Sequence, residues 1–499
     1  MPKRLNIAQI AAEVEPFSKS GGLANVMGSL PRVLKKLGHR VLVITPYYEG
    51  VTNLEGHTAE IIAENVVIEV TMGVFETVTY IRSHLPDSKV PVYFICCNKY
   101  FDRREEIGTK LYGASDDNAR FLVFNVAALH LLQVIDCQPD VIHCHDWHTG
   151  LIPYFLRNRY KKEPFWAKAA CLFTIHNLVY QLGHDWWVIP KEARDDGRSY
   201  LPSFAEKDRL ERVNFAKRGI MNADAINAVS ETYRNEIMTE NFGEELHDIL
   251  KAREDRVFGI VNGIDYNDYN PLTDPGVLTH YSYKSAGRKK ENKTRLQKAF
   301  GLSDRKDAPL IVMTSRISEQ KGFALMPDVI PHVMSFGAQM IVMGDGDAEM
   351  VAFLKRMQAE YPGQFAYSSF DGATETSLYA GADMFLLPSR YEPCGVNQLI
   401  ALRYGCIPIV HHIGGLADTI VDFDARTRTG NGFTATRYDA SSVLVAIARA
   451  IETYKHKDVW KKLVISGLKE ANSWLIPAKK YAELYNTTRR LRRALKKKK

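Results

Sequence analysis

Short apolar runs alternate with helix-period segments along almost the whole chain. In the first half the runs fall near Leu5–Ala11, Arg40–Thr45, Val90–Cys96, Asp140–Cys144, Ala170–Thr174 and Ala225–Ala228. They are too short for helices and are bounded by turn residues, so they read as buried strands. Val66–Val70 and Glu76–Ile81 alternate more strictly and predict an edge hairpin. Between the runs lie helices, for example Asp117–Gln133, where Arg120, Phe121, Phe124, Ala128 and Leu131 fall near one face. The second half repeats the rhythm at Phe258–Val261, Pro309–Thr314, Gln339–Met343, Phe365–Ser368, Met384–Leu387 and Ile407–Val410. Strands alternating with helices predict parallel α/β layers.

Two tandem Rossmann-like, doubly wound domains with a cleft between them account for this pattern and for a length of 499 residues. The charged stretch Arg253–Arg256 predicts the seam, giving domains 1–256 and 257–471 and a helical segment 472–499 that crosses back to the first. Leu178–Arg209 is poorly periodic, carries Trp186 and Trp187, and reads as a functional loop.

Charge and cysteines narrow the class. The net charge of +7 comes from the last eleven residues, Arg489–Lys499, which hold eight basic residues and no acid. The body is close to neutral, which argues against a broad nucleic-acid surface, and the tail reads as a solvated, fraying helix end. No apolar run reaches the roughly 18–20 residues of a membrane span. Seven cysteines, none spaced C-x-x-C, fit reduced thiols and a cytoplasmic setting.

Ligands of open α/β sheets bind beyond the carboxyl ends of the strands, so the loops there carry the candidate chemistry. Lys19-Ser20-Gly21-Gly22-Leu23 combines a mobile cation with a turn whose backbone can approach a ligand, although a glycine turn beside a surface lysine is also common. Arg316 and Lys321, in Ser315-Arg316 and Gln320-Lys321-Gly322, can converge on a diphosphate or be an exposed pair. Glu392, in Pro388-Ser389-Arg390-Tyr391-Glu392-Pro393-Cys394-Gly395, can hold sugar hydroxyls or cap the helix Val396–Tyr404. The amides from Cys394 through Gly395 to Asn397 open that helix and can meet a phosphate. His411-His412-Ile413-Gly414-Gly415-Leu416 echoes the first glycine turn, and the two together suggest one ligand held across a cleft. His143-Cys144-His145-Asp146-Trp147-His148 invites a zinc reading, but alternation on a strand puts Cys144 on the opposite face from His143 and His145. His176, at the end of Thr174-Ile175-His176-Asn177, reads as a polar substrate contact or as a satisfied core histidine. No G-x-G-x-x-G and no Walker motif is present, and Asp345-Gly346-Asp347 and Asp422-Phe423-Asp424 are short D-x-D matches of the kind that arise by chance.

Taken in order, these motifs resemble those of bacterial glycogen synthases and plant starch synthases of the same type. The resemblance runs from Glu13 to about Tyr485 and includes Tyr100-Phe101-Asp102-Arg103, Asp117-Asn118-Ala119-Arg120-Phe121, Val261-Asn262-Gly263-Ile264-Asp265 and Gly414-Gly415-Leu416-Ala417-Asp418-Thr419. It implies a GT-B type fold and metal-independent, configuration-retaining transfer of glucose from a nucleotide-diphosphate glucose, ADP-glucose before UDP-glucose, to the 4-hydroxyl of glycogen or another α-1,4-glucan. It implies no cofactor. By resemblance, His176, Arg316, Lys321 and Glu392 are catalytic. Lys19, Gly21, Gly22, Asn262, Cys394, Gly395, Asn397, Gly414 and Gly415 face the donor. Phe370 stacks on its base, and Tyr112 and Asn177 lie on the sugar side. Four positions depart from the family pattern: Asn25 for Asp, Ile413 for Thr, Asn397 for Thr and Leu182 for Gly. The alternatives are a transferase of the same fold with a different acceptor and a glucan-binding protein with a degenerate site. A pyridoxal-dependent phosphorylase and a dinucleotide oxidoreductase lack their signatures.

Overall fold

The computed structural model describes residues 4–497. The chain divides into two compact units. One runs to Asn262 and resumes at Trp474; the other is Gly263–Ser473.

The first unit is built on a nine-stranded sheet. Its strands are β1 (Asn6–Ile10), β2 (Arg40–Pro46), β3 (Glu60–Thr71), β4 (Val74–His84), β5 (Pro91–Cys96), β6 (Val141–His145), β7 (Ala170–Ile175), β8 (Ala225–Ala228) and β9 (Val257–Gly259), in the order β3-β4-β5-β2-β1-β6-β7-β8-β9. All neighbours are parallel except the edge hairpin β3–β4 and its pairing to β5. β1, β2, β6 and β7 are buried almost throughout. That is why they read as continuous apolar runs, whereas the hairpin, with one face open, alternates. The helix Asp117–Val134 is buried on nearly every side rather than on one face.

The second unit carries a six-stranded parallel sheet: β10 (Leu310–Thr314), β11 (Gln339–Met343), β12 (Phe365–Ser368), β13 (Met384–Leu387), β14 (Ile407–His411) and β15 (Phe433–Ala435), in the order β12-β11-β10-β13-β14-β15. One apolar core spans this unit, from Leu310–Met313 through Val329 and Ile330 to Trp460 and Leu463.

Two expectations are corrected. The run near Phe258 is β9 and pairs with β8, so it closes the first sheet instead of opening the second, and the seam falls after Asn262 rather than after Arg256. The charged stretch before it is not a linker. The Arg253 guanidinium donates to the carbonyls of Ile220 and Ala223, and burial pulls its pKa down to about 10. The tail is also not simply solvated. The helix Leu475–Lys497 returns to the first sheet, burying Trp474, Ala478, Tyr481, Leu484 and Tyr485 against Leu5, Ile7, Val26, Leu30 and Leu172. The spacing of these residues is the apolar stripe of a docked helix. Its basic end is held as well: Arg489 pairs with Asp140 at 2.8 Å, and burial lowers the pKa of Arg492. Lys498 and Lys499 lie outside the described residues. Among the described residues no helix is long and apolar enough to cross a membrane.

Candidate active site

In a doubly wound sheet the ligand crevice opens where the strand order reverses. In the first unit that point lies between β1 and β6, since β2 follows on one side of β1 and β6 on the other. The loop after β1 carries Glu13, Lys19 and the Gly21-Gly22 turn. Glu13 is buried, and one carboxylate oxygen accepts the amides of both Ser20 and Gly21, the latter at 3.0 Å. Gly21, at the N-cap of the helix Gly22–Lys36, has no side chain of its own for this task. Burial raises the Glu13 pKa against the pull of those amides. Lys19 makes an exposed pair with Glu15 at 3.0 Å, a contact weak enough to exchange for a ligand. Asn25, in the first turn of the same helix, has a buried side-chain oxygen with no partner among the described residues.

The loop after β6 begins at Asp146, whose φ of 57° and ψ of 179° lie where non-glycine residues are strained by about 1–3 kcal/mol. Its carboxylate accepts the backbone N–H of His176 at 2.7 Å. Burial pushes the Asp146 pKa up to about 7, opposed by the amides of His176 and Asn177 and reinforced by the Glu13 charge. His176, just past β7, has Nε2 3.0 Å from Nδ1 of His145, and burial pulls its pKa down to about 3. Tyr112 packs on His148 with ring centroids 4.5 Å apart. The Tyr112 hydroxyl and both His148 nitrogens are buried without a hydrogen-bond partner among the described residues. At a loop beyond a strand end, partnerless buried polar atoms are candidates for ligand contact. The side chain of Asn177 accepts the Val179 N–H at 3.2 Å and so shapes the loop after β7.

The run from His143 to His148 does not gather metal ligands. His143 and His145 share one face, their ring centroids 3.9 Å apart, while Cys144 lies against Cys171 on the other. Among the described residues no three His, Cys, Asp or Glu side chains form a group that could hold a metal ion.

The second unit reverses between β10 and β13. The loop after β10 carries Arg316, whose side chain is exposed, and a 3-10 turn, Glu319–Lys321. A further turn, Phe323–Leu325, separates Lys321 from the helix Met326–Ser335. The loop after β13 carries Glu392. Lys321 Nζ lies 2.6 Å from Glu392 Oε2, and the Ser389 hydroxyl donates to the same oxygen at 3.0 Å. Glu392 is therefore not the cap of the following helix, Asn397–Arg403, whose N-cap, Val396, receives no side-chain hydrogen bond. Asn397 reaches back to the Thr314 carbonyl at 3.3 Å, which ties this helix to the end of β10.

The glycine turn after β14 is fastened to the Glu392 loop: the Gly415 N–H donates to the Glu392 carbonyl at 3.0 Å, and His411 Nδ1 lies 2.8 Å from the Ser389 carbonyl. Ile413 occupies the N-cap of Gly414–Thr419 and provides no cap. Cys394 is buried, and Gly395 has a φ of 70°. Phe370 is half exposed just past β12, its N–H held by Asp345 at 3.0 Å. Asp347 caps the helix Ala348–Glu360, and Asp422 pairs with Arg449, so these members of the D-x-D triplets have structural work. Asn262 is buried at the end of the first unit.

A starch synthase catalytic domain profile matches residues 6–252, and a glycosyl transferases group 1 profile matches residues 295–464. A glycogen synthase of Thermosipho melanesiensis is 40% identical over 489 residues, covering 97% of this chain and 98% of that protein. The chain belongs to the glycogen synthase family. A Bacillus cereus glycogen synthase is likewise 40% identical over 489 residues, covering 97% of this chain and 99% of its own. Among solved structures, the catalytic domain of starch synthase IV from Arabidopsis thaliana, bound to ADP and acarbose, matches with a TM-score of 0.84 and 30% identity over 98% of this chain and all of that one. The fold is GT-B, and the chain is a glycosyltransferase of the glycogen/starch synthase type.

Within this synthase the two glycine turns, alike in sequence, differ physically. A Cβ on Gly415 would lie 1.9 Å from the Cys394 carbonyl oxygen, and Gly414 has a φ of 47°, so glycine there is demanded by the fold. A Cβ on Gly22 would meet nothing within 4 Å, and at Gly21 only Glu13 at 3.6 Å, with a φ of −151° that any residue adopts. Among the described residues no close contact inside the first unit demands glycine at these two positions, as expected if a ligand approaches them. Gly22→Ala is expected to keep its melting temperature within about 2 °C, because the new methyl meets no atom and Ala suits a helix. Its KM for the donor is expected to rise at least tenfold. Gly415→Ala is expected to lower the melting temperature sharply. Thermal melts beside donor titrations check both, and an unchanged donor KM in Gly22→Ala would remove the ligand argument.

The sequence reading passed over Glu13, Asp146, His145 and His148 as site residues. The His145-Asp146-Trp147-His148 run is legible in the sequence as a metal-cluster candidate and as a motif of the family resemblance, but not as a set of site contacts. Backbone strain at Asp146 and the shared amides at Glu13 depend on tertiary placement and leave no local signal.

Proposed function

We propose that this synthase transfers glucose from a nucleoside-diphosphate glucose, ADP-glucose in preference to UDP-glucose, to the 4-hydroxyl of an α-1,4-glucan, with retention and without a metal. The observation that carries this is the Lys321–Glu392 pair at the strand-order reversal of the second unit, with Arg316 exposed in the same loop. Arg316 and Lys321 neutralise the departing diphosphate, the task a metal performs elsewhere. Glu392 faces the glucose and balances positive charge developing on its ring. Its carboxylate is engaged by Lys321 and Ser389, which makes it a poor nucleophile and favours departure and attack on one face of the sugar. Lys19 and the Gly21-Gly22 turn approach the donor, with Asn262, Cys394, Gly395, Asn397 and the Gly414-Gly415 turn as further donor-side groups and Phe370 against the base. Tyr112, His176 and Asn177 serve sugar hydroxyls. The adenine preference draws support from the ADP bound to the starch synthase IV relative.

The test is incorporation of labelled glucose into glycogen from ADP-glucose and UDP-glucose in parallel, with EDTA present and Glu392→Ala as control. Incorporation favouring ADP-glucose, insensitive to EDTA and lost in the variant, is the expected result. Loss of activity in EDTA restored by a divalent cation overturns the metal-free reading, and a trapped glucosyl–Glu392 adduct overturns the single-face mechanism. Incorporation into a small soluble acceptor but not into glycogen identifies a different acceptor.

A further inference from the structure

His145 and His176 form a contact whose proton can be placed. Their ring nitrogens Nδ1 and Nε2 are 3.0 Å apart. Burial lowers both pKa values, so both rings are neutral at working pH. One ring must then donate and the other accept. If His176 donated, His145 would carry its proton on Nε2, and that atom is buried with no hydrogen-bond partner among the described residues. If His145 donates from Nδ1, its Nε2 is only a bare lone pair. A buried N–H without an acceptor is the rarer of the two arrangements. No neighbour rescues the first arrangement. The His143 ring lies against His145, but its Nδ1 is 2.9 Å from the Tyr485 hydroxyl and its Nε2 2.7 Å from the Thr174 hydroxyl.

We propose that His145 is a positioning residue that fixes the tautomer of His176: the His145 Nδ1–H donates to His176 Nε2, leaving the His176 proton on Nδ1, available to a sugar hydroxyl oxygen. Nδ1 of His176 makes no hydrogen bond among the described residues. His176 then acts as a neutral donor and not as a base. The second half of this inference rests on the sugar-side reading of His176 proposed above; the tautomer itself does not.

The experiment is a long-range proton–nitrogen correlation spectrum of the full-length protein, labelled with nitrogen-15 at histidine. The two signals are assigned by their loss in His145→Asn and His176→Asn. The expected pattern is a protonated Nδ1 and bare Nε2 on both His145 and His176. A protonated Nε2 on His176 overturns the proposal. Kinetics give a second readout. His145→Phe, which removes the donor, is expected to lower kcat about 100-fold with a smaller change in KM. His145→Asn, which keeps an N–H near the place of Nδ1, is expected to recover at least tenfold of that loss. Equal losses in the two variants, at equal melting temperatures, overturn the positioning role. Full activity in His176→Ala with the expected wild-type spectrum would overturn the sugar contact while leaving the tautomer assignment standing.

Discussion

Lys321→Ala is expected to lower kcat for glucose transfer by about 10²–10³, the usual effect of removing one group that stabilises transition-state charge. It is also expected to destabilise the second unit. The Lys321 and Glu392 side chains are 18% and 8% exposed and lie 2.6 Å apart, so the substitution strands a buried carboxylate with only the Ser389 hydroxyl to hold it. Breaking a buried pair typically costs about 3–5 kcal/mol, and the partial exposure of Lys321 places this case near the lower end. The double variant Lys321→Ala with Glu392→Gln is expected to regain most of that stability, since the stranded charge is gone, and none of the activity. Urea unfolding separates the two effects from steady-state kinetics. A Lys321→Ala enzyme with normal kcat would remove Lys321 from the chemistry whatever its stability.

Asp146→Asn is expected to divide stability from activity with a definite pH dependence. The folded pKa of Asp146 is pushed up to about 7 from an ordinary value of 3.8. A raised pKa means the native state binds more protons than the unfolded chain between these two values. The stabilising contribution is therefore complete below pH 4 and is lost as the pH rises toward 7. Across that window the wild type is expected to lose roughly 4 kcal/mol relative to the asparagine variant. An asparagine oxygen can still accept the His176 amide, so the variant keeps the loop while shedding the buried charge. Its melting temperature relative to wild type is expected to climb from pH 4 to pH 7 and then level off. Any limb of the pH–activity profile near pH 7 that belongs to the Asp146 carboxyl is expected to vanish in the variant. Parallel melts that do not diverge with pH would place the charge of Asp146 in solvent.

Much of this architecture could be read along the chain because parallel strands, covered on both faces, announce themselves as apolar runs. Gln339–Met343, Phe365–Ser368 and Met384–Leu387 are strands at the predicted boundaries. The three-residue strand Phe433–Ala435 is too short to show a period, and β9 has apolar content that fits either sheet. Cations and carboxylates after strand ends were legible as candidates because strand ends are where α/β ligands bind. What they contact was not. Glu392 read equally well as a cap, and only the fold brings Lys321 to it across 71 residues of sequence. The two Gly-Gly turns read as equivalents until the Cys394 carbonyl crowded one and left the other open. Arg253 read as a linker charge because local composition does not reveal that two carbonyls of another helix receive it.

The return of Leu475–Lys497 to the first sheet has a consequence for the order of assembly. Gln9 and His143 donate to or share a proton with the Tyr485 hydroxyl, and Asn227 donates to Tyr481 at 3.1 Å. A ribosome that has delivered every strand of the first sheet has still to make all of Gly263–Ser473 before the helix that covers it emerges. Until then Leu5, Leu30 and Leu172 lack part of their cover. The first unit to be translated is thus the last to be finished, and a nascent chain cut short anywhere before Trp474 is left with an open sheet that quality-control factors can recognise.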